Sequence, residues 1–116
     1  MAGALTRWEG FAASAPEIAS AGRRLLSADG TGVAFLATVR RDGGPRVHPV
    51  APVLAEGSLW VFVVNLGWKY HDLRRDGRYA LHSSPTPAGG EEFYVTGSAR
   101  ESGDPGERAV VRAAAG

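Results

Sequence analysis

The chain has 116 residues, of which 44% are hydrophobic and 22% are charged, and its formal net charge is +1. This length and composition are typical of a globular protein with one core, so residues 1–116 are predicted to form a single domain. The nearly neutral charge and the scattered arginines give no reason to expect a nucleic-acid partner. The longest apolar runs are far shorter than the ~20 residues that cross a bilayer, and no signal-peptide pattern opens the sequence. We therefore expect a cytoplasmic protein with no membrane partner.

Cysteine is absent, which removes disulfides, thiolate nucleophiles and most structural zinc sites. The three histidines, His48, His71 and His82, form no spaced ligand motif, so no metal site is predicted. Lysine is almost absent as well, because Lys69 is the only lysine among the 13 basic side chains. That isolated lysine is the most informative basic residue of the sequence.

The first predicted element is a helix over about 15–28. Ser14 and Glu17 have the S-x-x-E spacing of a capping box, and Pro16 falls in the first turn, where its missing N–H is harmless. The dipeptide Asp29-Gly30 supplies the left-handed residue that commonly ends a helix.

Beyond this helix, short β-type runs alternate with turn residues. Asp42-Gly43 and Glu56-Gly57 predict two hairpins, and hence an antiparallel meander. Five strands are predicted, with the sequences VAFLATVR, RVHPVAPVL, LWVFVVN, RYALHS and EFYVTGSAR. Five short apolar strands favour a sheet that curves onto itself, so the predicted fold is mainly β, a small barrel with flanking helices. A final helix is predicted from about 105, with Asp104 as its N-cap.

The segment after the third strand predicts a short helix that contains Lys69. Leu66, Tyr70 and Leu73 form its apolar stripe, Asn65 is the expected N-cap and Gly77 the expected end. Arg74 and Arg75 then fall in the last turn, where the helix dipole favours cations, and they need no function to explain them. Lys69 falls near the start, where free N–H groups already carry positive charge, so an anion such as a phosphate would account for it. A lysine that points into solvent is the alternative.

The second predicted strand is unusual because it contains several prolines. Pro49 cannot donate to a sheet ladder, which implies an edge, a bulge or a place where the backbone faces something other than a strand. A ligand along that edge and an ordinary edge strand protected by proline both fit the pattern.

Taken in order, the segments AFLATVRRDGGPRVHPV, GSLWVFVVN, WKYHDLRRDGRYALHS and EEFYVTGSA resemble the FMN-binding split-barrel family related to pyridoxamine 5′-phosphate oxidase, over about 14–105. The resemblance implies a split barrel of antiparallel strands, here without the family's last strand. It also implies FMN as cofactor and a homodimer with the cofactor at its interface.

The resemblance also implies a set of cofactor-binding residues. Arg46 and Lys69 match the positions that bind the FMN phosphate. The other matching positions are Val47, His48, Pro49 and Val50, whose backbone would run beside the isoalloxazine, Val63 and Val64 on the next strand, Trp68, which could stack on the cofactor, and Glu92, where some members carry a glutamine.

The activity implied by the resemblance is that of an FMN-dependent oxidoreductase. No catalytic residue is assigned, because the flavin carries the hydride, and an unidentified small molecule is the substrate. The residues that bind the vitamer in the true oxidase have no counterpart, so that substrate is not assigned. Two alternatives remain: a reductase that uses the deazaflavin F420 on the same fold, and a non-enzymatic protein that binds flavin or haem.

Overall fold

The computed structural model describes residues 2–6, 8–26, 32–63, 67–86 and 89–115. Within these ranges the chain combines antiparallel sheets with helices, and so is mixed α/β. The strands are β1 Ala2–Thr6, β2 Ala34–Val39, β3 Pro45–Val50, β4 Val53–Ala55, β5 Ser58–Phe62, β6 Arg78–Ser83, β7 Tyr94–Ser98 and β8 Arg100–Glu101. The helices are α1 Trp8–Ser14, α2 Pro16–Leu25, α3 Trp68–Arg75 and α4 Pro105–Ala115.

The strands form two antiparallel sheets of four strands each. Sheet I has the order β4-β5-β1-β8, and sheet II has the order β3-β2-β6-β7. The predicted meander is therefore wrong, because β2 lies between β3 and β6, and β4 belongs to the other sheet. The single strand predicted over 46–54 is divided into β3 and β4 at Ala51 and Pro52, where the chain passes from one sheet to the other. Among the residues that the structure describes, the two sheets are not closed into one barrel.

Both predicted hairpins are confirmed. The turn at 40–44 is closed by Arg40 N–H donating to the carbonyl of Gly44, and Gly43 has φ of 88°. In the β4–β5 hairpin, Glu56 and Gly57 have φ of 53° and 71°, the two left-handed residues that a type I′ turn requires. These local signals fix each hairpin but not the order of strands within a sheet.

The helices differ from prediction mainly at their ends. Ser14 ends α1 and does not cap α2, which begins at Pro16 after Ala15 with no side-chain cap, so the predicted capping box is wrong. The helix ends at Leu25, and the predicted stop at Asp29-Gly30 lies outside the described residues. The start of α4 is confirmed, because Asp104 Oδ1 accepts the N–H of Gly106 at 2.9 Å. No helix in the described ranges is long and apolar enough to cross a membrane.

The main core joins the helices at the N-terminal end to both sheets. It contains Trp8, Ala19, Leu25, Leu26, Ala34, Leu36, Val50, Leu59, Val61, Val63, Tyr79, Leu81 and Phe93. Trp8 lies edge-on to Phe93, with 6.0 Å between ring centroids. The Phe93 ring also lies against the backbone of Gly22, where a Cβ atom would come within 2.6 Å of it. Gly22 is therefore required by packing, within a helix that would otherwise favour alanine.

We predict that Gly22→Ala lowers the free energy of unfolding by about 1–3 kcal/mol, because the buried Phe93 ring must move. Gly10→Ala in α1 is the matched control, since apart from its chain neighbours and the backbone of its own helix no atom lies within 4 Å of its added Cβ. That control should stabilise the protein by about 0.5–1 kcal/mol through helix propensity. Urea unfolding of the three proteins measures both effects, and equal stabilities of the two variants would contradict the packing argument.

Candidate functional site

β3 is an edge strand of sheet II, and its two faces have different environments. Arg46, His48 and Val50 lie opposite Thr38, Leu36 and Ala34, and so share the inner face of the sheet. The alternate residues, Pro45, Val47 and Pro49, are exposed on the other face. Proline has no N–H to donate, so its backbone nitrogen is expected to face away from β2. Of the three explanations that the sequence left open for Pro49, an edge, a bulge or a place where the backbone faces something other than a strand, the described residues show an edge strand.

A buried carboxylate, that of Asp72 in α3, connects this helix to Arg46 near the start of β3. Only 2% of the Asp72 surface is exposed. Its Oδ2 accepts hydrogen bonds from Arg46 Nε at 2.7 Å and from Thr38 Oγ1 at 2.8 Å. Its Oδ1 accepts a longer hydrogen bond from Arg75 Nη2 at 3.3 Å. One carboxylate therefore links β2, β3 and the last turn of α3.

The charge of Asp72 is maintained by its donors. Burial alone would raise its pKa, but the hydrogen bonds from Arg46, Thr38 and Arg75, with the charge of Arg46, bring the pKa below its usual value. Because the folded pKa lies below the unfolded one, this contribution to stability is complete above the unfolded pKa, near 4. It is lost as the pH falls from there through the folded pKa. At neutral pH Asp72 is ionised and neutralises part of the arginine charge around it.

Arg46 is restrained on a second side by Trp68. Its guanidinium carbon lies 5.3 Å from the centroid of the Trp68 ring, within cation–π range. Trp68 is 70% exposed, so this residue is not a core tryptophan. The Nε–H of Arg46 therefore donates to Asp72, and the Trp68 ring lies beside the guanidinium. The Nη groups of Arg46 have no hydrogen-bond partner among the described residues.

Lys69 is the second residue of α3, as predicted from its position in the sequence. The helix begins at Trp68 after Gly67, which provides no side-chain cap, and ends at Arg75 instead of the expected Gly77. The predicted cap Asn65 and the first stripe residue, Leu66, lie outside the described residues. Lys69 is half-buried, and within the described ranges it forms no ion pair.

His48 lies within electrostatic reach of both basic residues. Burial, followed by the charges of Lys69 and Arg46, lowers its pKa below the ordinary value, and Asp72 opposes this only in part. Its Nε2 atom is buried and has no hydrogen-bond partner in the part of the chain that the structure describes. A buried ring nitrogen without a partner is costly, so a ligand group that bonded to it would remove an existing penalty.

An open groove of about 850 Å³ lies beside Arg46, Trp68 and Asp72, and neither Lys69 nor His48 is among the residues that line it. It is lined by Arg41, Arg46, Trp68, Tyr70, His71, Asp72, Arg74 and Arg75. Arg74 donates to the Tyr70 hydroxyl at 2.9 Å, and Arg75 donates to the carbonyl of Val39 as well as to Asp72. Arg75 therefore has a structural role beyond the helix dipole that explained it in the sequence.

Most of the remaining predicted cofactor-binding residues lie either in the main core or on the outer face of sheet II. The side chains of Val50 and Val63 belong to the main core, so only their backbone could contact a ligand. Val47 is 62% exposed on the outer face of sheet II, next to the exposed Pro49. Val64 lies outside the described residues.

Glu92 is not brought together with Arg46 and Lys69. It contacts His82, with 3.2 Å between Glu92 Oε2 and His82 Nε2. His82 of β6 lies opposite Phe35 of β2, and Phe35 lies opposite Pro49 of β3. His82 therefore shares the outer face of sheet II with Pro49. Glu92 and His82 line a separate groove of about 410 Å³ there. Within one chain, Arg46 and His48 therefore lie on the inner face of sheet II, whereas Glu92 lies at the outer face.

Sequence reasoning missed Asp72 and Thr38. Thr38 follows Ala34 and Leu36 at the period of two that marks the inner face of β2, so a hydroxyl there was a detectable signal. Asp72 is the one carboxylate within the basic run WKYHDLRR. Its position next to the apolar stripe residue Leu73 was compatible with burial, but its two shortest hydrogen bonds come from residues 26 and 34 positions away in the chain. Such distant partners leave no local pattern.

Comparison with known proteins shows similarity at the level of the fold. No protein-family model matches the chain, and no curated protein is detectably similar to it. The crystal structure of the conserved hypothetical protein Rv2991 from Mycobacterium tuberculosis is similar, with a TM-score of 0.67 and 20% sequence identity. The similarity covers 81% of this chain and 60% of that chain. The two proteins therefore share a fold over most of the shorter chain.

We predict that the pKa of His48, measured by NMR titration of its ring, lies below 6.5 in the wild-type protein. Lys69→Ala should raise it, because one of the cations that disfavour the imidazolium is removed. Arg23→Ala in α2 removes a cation that does not act on His48 and should leave the pKa unchanged. A pKa that does not respond to Lys69→Ala would show that Lys69 and His48 are not neighbours in solution.

Proposed function

We propose that the protein binds FMN and acts as an oxidoreductase of the split-barrel kind on a small-molecule substrate. The observation that carries the proposal is that the positive charges of Arg46 and Lys69 both act on His48, whose buried Nε2 has no partner among the described residues. A phosphate monoester would be attracted by both cations, and a phosphate oxygen that reached His48 Nε2 would give this atom the partner it lacks. The resemblance of the sequence to FMN-binding split barrels supplies the rest of the ligand.

The residues present fit the phosphate end of FMN. Arg46 offers its Nη groups, which have no partner among the described residues, as a planar donor. Lys69 offers a compact charge, and the neutral His48 ring can donate from Nε2 when that tautomer is present. The first turn of α3, which contains Lys69, adds backbone N–H groups that have no carbonyl partner within the helix. Each of these groups favours a dianionic ligand over a neutral one.

The edge of β3 supports a place for the ring system. In sheet II, β3 pairs only with β2 in the described part of the chain, so the outward backbone groups of Val47 remain available to a ligand. When bound, FMN would supply the hydride-transfer chemistry. The residues of this chain would then bind its phosphate, orient the ring along the strand and exclude water.

The outer face of sheet II supports the proposed homodimer. Val47, Phe35 and Tyr94 are exposed hydrophobic residues on three of its four strands. Phe35 lies opposite Pro49 on one side and His82 on the other, and His82 lies opposite Tyr94. This row crosses the whole sheet, and a second copy of the chain would cover it.

We predict that the wild-type protein binds FMN more tightly than riboflavin, which lacks the phosphate. Arg46→Ala and Lys69→Ala should each weaken FMN binding about tenfold or more, because a charge-assisted hydrogen bond contributes about 1.5–3 kcal/mol. Neither should change the affinity for riboflavin, and Lys69→Ala should alter stability little. Flavin fluorescence titration of the three proteins measures these affinities.

Arg23→Ala serves as the control for general loss of positive charge and should bind FMN as the wild type does. A protein that binds neither FMN nor riboflavin would overturn the proposal. Preferential binding of F420 would keep the oxidoreductase class and change the cofactor, whereas haem binding through His48 would replace it. Mass spectrometry of the small molecule released from the purified protein distinguishes these results.

A further inference from the structure

The guanidinium of Arg46 is held from two directions by side chains of α3. Asp72 accepts its Nε–H at 2.7 Å from a position that is almost fully buried. The Trp68 ring lies beside its planar group, with 5.3 Å between the guanidinium carbon and the ring centroid. Arginine in the open has several rotatable bonds, and each contact removes part of that freedom. Arg46 is thus oriented before any ligand arrives.

We propose that Asp72 and Trp68 are positioning residues, which hold the Arg46 guanidinium in one orientation so that its Nη edge, which no described residue occupies, forms a pre-built phosphate site with Lys69. The inference rests on the proposed binding of FMN and specifies how its phosphate is recognised. It assigns Trp68 a role different from stacking on the flavin, because Arg46 lies over this exposed ring.

The negative charge of Asp72 makes it possible to distinguish two effects of this residue on phosphate binding: its orientation of Arg46 and its direct electrostatic effect on the phosphate. A carboxylate beside an anion site repels the anion, so Asp72 is unfavourable if only its field matters. Here the Asp72 carboxylate pairs with both Arg46 and Arg75, and Lys69 adds a third positive charge to the same cluster. The cluster keeps an excess of positive charge while one of its arginines is held in place. Removing Asp72 therefore has opposite consequences under the two explanations.

Asp72→Ala tests this sign directly. If Asp72 positions Arg46, the variant should bind FMN about tenfold more weakly than the wild type, with unchanged affinity for riboflavin. If Asp72 matters only through its charge, the variant should bind FMN more tightly. Asp76→Ala is the matched control, because it removes the neighbouring carboxylate, which pairs with Arg78 and not with Arg46.

Trp68→Ala provides a second variant that does not depend on a buried residue. As a positioning residue, Trp68 should contribute to FMN affinity and not to riboflavin affinity, with an expected loss of about two- to fivefold for FMN. Equal losses for the two flavins would show that Trp68 stacks on the ring system instead. This variant keeps the inference testable if Asp72→Ala fails to fold.

A double-mutant cycle completes the test. In the Arg46→Ala background, Asp72→Ala and Trp68→Ala should produce no further loss of FMN affinity, because both act through Arg46. Additive losses would overturn the inference while leaving the phosphate site in place. If Arg46→Ala itself leaves FMN affinity unchanged, the proposed function fails first, and the positioning role falls with it.

Discussion

The arrangement of the candidate site depends on the ion pair between the buried carboxylate of Asp72 and Arg46. A charge in the interior is costly unless its hydrogen-bonding positions are filled, and removing one partner of such a pair typically costs about 3–5 kcal/mol. Asp72 meets this requirement with donors from β2, β3 and α3. The same contacts that make its burial tolerable therefore hold the strand and the helix that carry the proposed phosphate ligands. Stability and the geometry of the site rest on one cluster.

The edge strand β3 is protected against pairing with another strand and yet keeps backbone groups that a ligand could bind. An unprotected edge invites pairing with other chains, and prolines reduce that hazard by removing donors. Pro45 and Pro49 protect β3 in this way, yet Val47 between them keeps its N–H. The edge is thus closed to a continuous strand and still open to a ligand with a few hydrogen-bonding groups. The inner face of the same strand supplies Arg46 and His48, so backbone and side chains can act on one molecule.

Sequence patterns predicted the local parts of this structure better than their assembly. The hairpins at Asp42-Gly43 and Glu56-Gly57 and the start of α4 depend on residues close in the chain, and all three are confirmed. The strand order in each sheet depends on distant pairings, and the meander was wrong. The N-terminal strand β1, which lies between β5 and β8, was not predicted at all. For the candidate site, Lys69 stood out as the only lysine and Arg46 was proposed through the family resemblance, whereas Asp72 was missed because Thr38 and Arg46, its closest donors, are remote in the chain.

The two faces of sheet II constrain how the remaining predicted residues could take part. Arg46 and His48 lie on the inner face, and Glu92 contacts His82 on the outer face, so one chain cannot direct all of these side chains at a single flavin from one side. A ligand bound at the edge of β3 would lie next to both faces. If a second copy of the chain covers the exposed row that contains Phe35 and Tyr94, residues of that copy come close to the edge of β3. The proposed dimer and any role of Glu92 are therefore linked, since Glu92 can act on a flavin held by Arg46 only if the partner brings it there.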